Sequence, residues 1–163
     1  MKDPTLRIYG PRGMVERASE LVAEEPIAPR PREKRCADEV SVTEIMTRHI
    51  VCASPELCVA ELLEIMVAQR LGSVPVVDEH GNPVGIVTKL DVVEYLAAPP
   101  ARPKPCVADL MMPLAITLDD KATVAHAAAL MSSEDMHHVM IVSRRRLVGI
   151  VSTMDVTRWL ARS

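Results

Sequence analysis

The sequence predicts an α+β fold, built from two copies of one β-α-β-β-α unit packed against each other. Three observations carry this reading. A short segment occurs twice, as Gly85-Ile86-Val87-Thr88-Lys89-Leu90-Asp91 and as Gly149-Ile150-Val151-Ser152-Thr153-Met154-Asp155. The stretches that contain it, residues 42–97 and 107–161, align with each other along their whole length. A unit of this size cannot bury its apolar surface alone, so two copies should share a core.

Each element follows from local pattern. Residues 1–40 form a separate N-terminal segment, with a short amphipathic helix expected over 13–25 and a Pro-rich, charged, extended linker after it. Both repeats open with a short helical start, Val42–Met46 and Val107–Met111, followed by a short strand, Ile50–Cys52 and Ala115–Thr117. A helix comes next, with Val59, Leu62, Leu63 and Met66 in one copy and Val124, Ala127, Ala128 and Met131 in the other. Both sets keep the i, i+3, i+4, i+7 spacing of a core-facing stripe. Two strands follow, Ser73–Val77 and Val84–Val87, then Val139–Val142 and Leu147–Val151. The repeated segment ends the last strand and opens a closing helix, and Ala98 to Pro105 is a linker too rich in proline for helix or central strand.

Composition narrows the function. A formal charge of −3 argues against a general nucleic-acid binder. With no Phe, one Trp and two Tyr, any base-binding pocket must have aliphatic walls. Cys36, Cys52, Cys58 and Cys106 form no C-x-x-C pair and read as reduced thiols of a cytoplasmic protein. No apolar stretch reaches the length of a membrane span, and the first residues lack the apolar centre of a signal peptide. No catalytic triad motif, P-loop or dinucleotide fingerprint is present, so the chain is expected to be no enzyme and to require no cofactor. His137 and His138 are adjacent and would point to opposite faces of a strand, which argues against a metal site. Arg144-Arg145-Arg146 reads as a solvated turn.

The repeated segment carries the chemistry. A helix that starts directly after a strand offers unpaired N–H groups and partial positive charge to an anion. The Asp three places after Thr88 or Ser152 can accept hydrogen bonds from paired hydroxyls such as those of a ribose. The competing reading is a capping box, in which both side chains serve only their own helix. Two copies in register favour the binding reading.

With the doubled Gly-Ile-Val-Thr/Ser-x-x-Asp, the strand Val74-Pro75-Val76-Val77, and Pro55 with Val59-Ala60 ahead of the helix, residues 42–161 resemble the tandem CBS-domain family, the Bateman module. The resemblance implies a pseudo-twofold pair with two clefts between the repeats. It implies a regulatory module that binds AMP, ADP, ATP or S-adenosylmethionine there and reports to an effector protein. Carried over by position, one cleft combines Thr88 and Asp91 with Thr117, His137 and His138. The other combines Ser152 and Asp155 with Cys52, Gly72 and Ser73. The family often has Thr where Cys52 stands and a basic residue where Gly72-Ser73 stands. The Asp91 cleft, with Lys89 at its helix start, is therefore expected to dominate for phosphorylated ligands. A twofold homodimer through the outer helix faces is also expected, since Ile65, Val93, Leu96, Leu130 and Leu160 give those helices a second apolar side. The alternative function is a structural or protein-interaction module with empty clefts.

Overall fold

The computed structural model describes residues 6–9, 35–97, 103–113 and 115–162. The first repeat holds β2 (Ile50–Ala53), α1 (Val59–Ala68), β3 (Ser73–Val77), β4 (Pro83–Thr88) and α2 (Lys89–Ala97), preceded by a strand β1 (Leu6–Tyr9). The second holds β5 (Thr117–Asp119), α3 (Val124–Ser133), β6 (His138–Ser143), β7 (Arg146–Ser152) and α4 (Thr153–Leu160). The strands form two sheets, β1-β2-β3-β4 and β5-β6-β7. In each, the first repeat strand runs parallel to the second across its helix, and the last two pair antiparallel. This is the expected β-α-β-β-α order, twice.

Most strand ends differ from the sequence reading by a single residue, one strand is shifted by two, and one strand is additional. The second repeat's first strand lies two residues later, because its register is set by β6, where Thr117 faces Met140. The strand β1 was not expected: it runs antiparallel to β2, with Leu6 opposite Ala53 and Tyr9 opposite Ile50. At four residues it is too short for its alternation to stand out from loop. The helix expected over 13–25 lies outside the described residues, as does most of the linker after it.

The core is shared by exchange. The arm that leads into each repeat crosses over and packs into the other one. Val40, Val42 and Met46 of the first arm are buried among Val124, Met131, Val139, Val151 and Trp159 of the second repeat. Val107 of the second arm is buried with Leu57, Leu62, Met66, Val74 and Val87 of the first. Backbone bonds fix both crossings: Thr47 exchanges bonds of 2.9 and 3.0 Å with Ile150, and Met112 exchanges bonds of 3.0 and 3.2 Å with Ile86. A third cluster (Ile50, Cys52, Val77, Met140 and Leu147) joins the two sheets.

The crossing arms explain the repeated glycine. A Cβ on Gly85 would sit 2.6 Å from the Met112 carbonyl oxygen and 2.9 Å from the Met111 sulfur. A Cβ on Gly149 would collide with the Met46 side chain. Only a residue without a side chain lets the arm lie flat on the strand.

Helix α2 buries none of its residues, and Leu90, Val93 and Leu96 on it are exposed. With Val67 of α1, 79% exposed, they leave the outer face of the first repeat apolar.

Candidate functional site

The segment shared by the repeats forms the same local structure twice. Ser152 ends β7 in an extended conformation and caps α4. Its N–H and hydroxyl both donate to Asp155 Oδ2, at 2.8 and 2.5 Å, and its hydroxyl oxygen accepts from the Asp155 N–H at 3.3 Å. Thr88 and Asp91 repeat the pattern at 2.6, 2.6 and 3.4 Å. The capping box is therefore present in both copies. It occupies one carboxylate oxygen of each Asp and leaves the other open to a further partner.

At Asp155 that second oxygen faces a cation. Arg158, one turn along α4, places Nη1 3.6 Å from Asp155 Oδ1. These residues line a cleft of about 320 Å³ between the repeats, a size within the range of small-molecule sites. From the second repeat come Ser152, Asp155, Arg158, His138, Ile150 and Met154. From the first come Thr47, His49, Ile50, Val51 and the run Leu71-Gly72-Ser73, with Pro75. Ile50, Val51, Leu71, Pro75 and Ile150 give the cleft aliphatic walls, as an aromatic-poor sequence requires.

The cleft thus unites Ser152 and Asp155 with Gly72 and Ser73, four residues that sequence reasoning grouped together. Cys52 is placed elsewhere. Its side chain is fully buried in the inter-sheet cluster, with Sγ 3.8 Å from the Ile50 carbonyl oxygen. Burial pushes its thiol up to about 12, which keeps it protonated and inert.

His138 stands on the Asp155 side rather than across from Asp91 alone. It opens β6, pairs in register with Ser152, and lines the same cleft. Partial burial, then the neighbouring His137, lower its pKa, and the Asp155 carboxylate opposes them. Thr88, Asp91, Thr117 and His137 lie outside this cleft. Thr117 starts β5 and His137 directly precedes β6, where its carbonyl accepts from the Thr153 N–H at 3.0 Å.

Arg158 and His49 were missed by sequence reasoning. Arg158 had a signal: it stands three places after Asp155, and the position three places after Asp91 is Glu94. The two repeats therefore carry opposite charge one turn into the closing helix. Among the described residues no cluster of three or more His, Cys, Asp or Glu is placed to hold a metal, and no helix is long and apolar enough to cross a membrane.

The CBS domain family matches the chain twice, over residues 42–98 and 107–162. An uncharacterized protein of Methanocaldococcus jannaschii is 28% identical over 155 residues, which cover 86% of this chain and 37% of the relative. The L-aspartate semialdehyde sulfurtransferase of the same organism is 31% identical over 118 residues, 72% of this chain and 22% of that enzyme. The chain thus spans well under half the length of these two relatives. Among solved structures, a CBS-domain pair in complex with 5′-methylthioadenosine and S-adenosyl-L-methionine superposes with a TM-score of 0.67 at 30% identity, over 75% of this chain and 96% of that one. CBSX2 in complex with AMP superposes with the same TM-score of 0.67 at 23% identity, over 76% and 97%, a likeness of fold.

Proposed function

The chain belongs to the CBS-domain family, and from that premise we propose that it is a non-enzymatic sensor that holds a phosphorylated adenosine in the cleft at Asp155. One observation carries the proposal: a carboxylate, a hydroxyl, an arginine and a histidine converge on one aliphatic-walled cleft to which both repeats contribute. The adenine lies against Ile50, Val51, Leu71 and Pro75. Asp155 accepts from the ribose hydroxyls. Arg158, His138 and the N-terminus of α4 take the phosphate, where charge-assisted bonds add more than neutral ones. The solved pair with adenosine-derived ligands, 30% identical to this chain, supports adenosine as the common element. The positive groups favour a phosphate tail over the cationic sulfonium of S-adenosylmethionine. This reverses the expectation that the Asp91 cleft dominates, since Glu94 there replaces the cation that Arg158 provides here.

The apolar groove between α1 and α2, lined by Leu63, Val67, Val92 and Val93, is the surface through which we expect a homodimer. An effector protein would read the ligand-bound pair.

A melting-temperature screen tests the sensor reading. AMP or ATP at 100 times its dissociation constant should stabilise the fold by ~2.7 kcal/mol, a rise of roughly 5–10 °C. Guanosine nucleotides should give less, and S-adenosylmethionine should fall below AMP. The capping boxes favour a second reading, in which Asp91 and Asp155 serve only their helices and the clefts stay empty. Silence towards all of these compounds at millimolar concentration would establish that reading instead.

A further inference from the structure

Cys58 and Cys106 stand opposite each other where the second arm crosses the first repeat, joined as an antiparallel bridge. The Val107 N–H donates to the Leu57 carbonyl at 2.9 Å, and the Val59 N–H donates to the Pro105 carbonyl at 3.1 Å. These two bonds bracket the pair, so the cysteines occupy the non-hydrogen-bonded position of the ladder. There the Cα atoms are about 4.5 Å apart and both side chains leave the same face. A disulfide spans Cα separations of roughly 4.4–6.8 Å. Both residues are extended, with φ −63° and ψ 136° at Cys58 and φ −116° and ψ 170° at Cys106.

The other half of the molecule holds the same bridge with different residues, Ser41 opposite Thr123. Those hydroxyls have a structural task. Thr123 caps α3 by accepting from the His126 N–H at 3.3 Å, and Ser41 accepts from the Thr43 N–H at 3.2 Å. Cys58 opens α1 with no side-chain cap bond. Serine and threonine are the preferred caps, yet the first repeat carries a thiol on both sides of its bridge. Capping accounts for Ser41 and Thr123, and Cys106 shares a capping box with Asp109, its N–H donating to the Asp109 carboxylate at 2.8 Å; it leaves the thiol of Cys58, directly opposite, unexplained.

We propose that Cys58 and Cys106 are a reversible dithiol–disulfide pair that locks the second arm onto the first repeat. Cys58 is exposed and Cys106 half-buried, so a small disulfide such as oxidised glutathione meets Cys58 first. The Cys58 thiolate attacks one sulfur of that disulfide, forms a mixed disulfide and releases one glutathione thiolate. The Cys106 thiolate then attacks the Cys58 sulfur and releases the second. The protein gives up two electrons and two protons, and the small disulfide becomes two thiols. The ring so closed runs from the start of α1 through α2 and back to the arm, enclosing most of the first repeat. A loop of that length constrains the unfolded chain strongly.

The full chain equilibrated with oxidised glutathione, then alkylated in denaturant and mapped by mass spectrometry, tests this. The expected product is two hydrogens lighter, yields one linked peptide joining Cys58 to Cys106, and retains alkylatable Cys36 and Cys52. Its melting temperature should rise by about 5–10 °C, and dithiothreitol should reverse both changes. Cys58→Ser and Cys106→Ser should each abolish the rise, and Cys36→Ser should keep it. Serine is a competent cap, so these variants are expected to fold. Alkylatable Cys58 and Cys106 after equilibration, glutathione adducts that never resolve, or links only between chains would each overturn the proposal. None of these outcomes depends on nucleotide binding.

Discussion

At the scale of single residues, Asp155 and Asp91 make the same cap bonds but differ in their surroundings. Asp155→Ala is expected to cost on the order of 1 kcal/mol of stability from the lost cap and to abolish AMP binding. Asp91→Ala should cost the same stability and leave most of the binding, which calorimetric titration of both variants measures. Equal losses of affinity would show that the charge argument is wrong. Arg158→Glu, which copies the first repeat's Glu94, should weaken AMP by about 10–100-fold, as expected for a charge-assisted bond of ~1.5–3 kcal/mol, and should leave adenosine little changed. His138 adds a pH dependence whose sign follows from its lowered pKa. In the unfolded chain an imidazole titrates near ~6.5, so between that value and the lower folded one the unfolded state binds more protons. Stability is thus full above about pH 6.5 and declines as pH falls below it. Urea midpoints between pH 7.5 and 5.5 should show this decline in the native protein and a flatter profile in His138→Gln. Affinity for AMP should move the opposite way, rising as pH falls, because phosphate favours the imidazolium, and His138→Gln should remove that rise.

At the scale of elements, the packing of arm on strand makes a sharp demand. Gly149→Ala places a methyl group against Met46 and should destabilise by roughly 1–3 kcal/mol as overpacking. Combined with Met46→Ala it should cost clearly less than the sum of the two single changes, a coupling that a double-mutant cycle by chemical denaturation reads directly. The strands and helices of both repeats were legible because their periodicities are strong and occur twice. The glycine was legible as a repeated letter but not as a contact, since the aligned Met46 and Met111 lie on arms that each repeat lends to the other. Cys52 shows the same limit from the other side. It stands one residue before the end of β2, at a position that suits a cleft, but the inter-sheet cluster claims its side chain. His138 was placed only by the register of β6 on β7, which sequence spacing does not specify, whereas the i, i+3 spacing of Arg158 from Asp155 stood in the sequence and went unused.

At the scale of the whole molecule, Val67 of α1 and Leu90, Val93 and Leu96 of α2 remain outside every core cluster. Leu96 and Val93 are 66% and 59% exposed, so little in the isolated chain restrains what they carry. Light scattering at micromolar concentration is expected to give a dimer, and Leu96→Glu with Val93→Asp should give a monomer of unchanged melting profile apart from its concentration dependence. A monomer for the native chain at every concentration would refute the expected assembly. The doubled unit and its pairing could be read from the sequence, because self-similarity survives in the letters. How the two units share a core could not, because the contacts of Val42 and Val107 run between halves that look self-sufficient when aligned.

The crossing arms carry one more consequence. Their exchange is topologically the same whether the two units sit on one chain or on two. A chain nicked between residues 97 and 103 should therefore stay whole under native gel filtration, held by the two crossings, and separate only on denaturation. The covalent link between the units then acts as a concentration device, keeping each arm near the partner that needs it. In that sense the tandem is a domain-swapped dimer written as a single polypeptide, and a lone half is expected to trade arms with a second copy of itself.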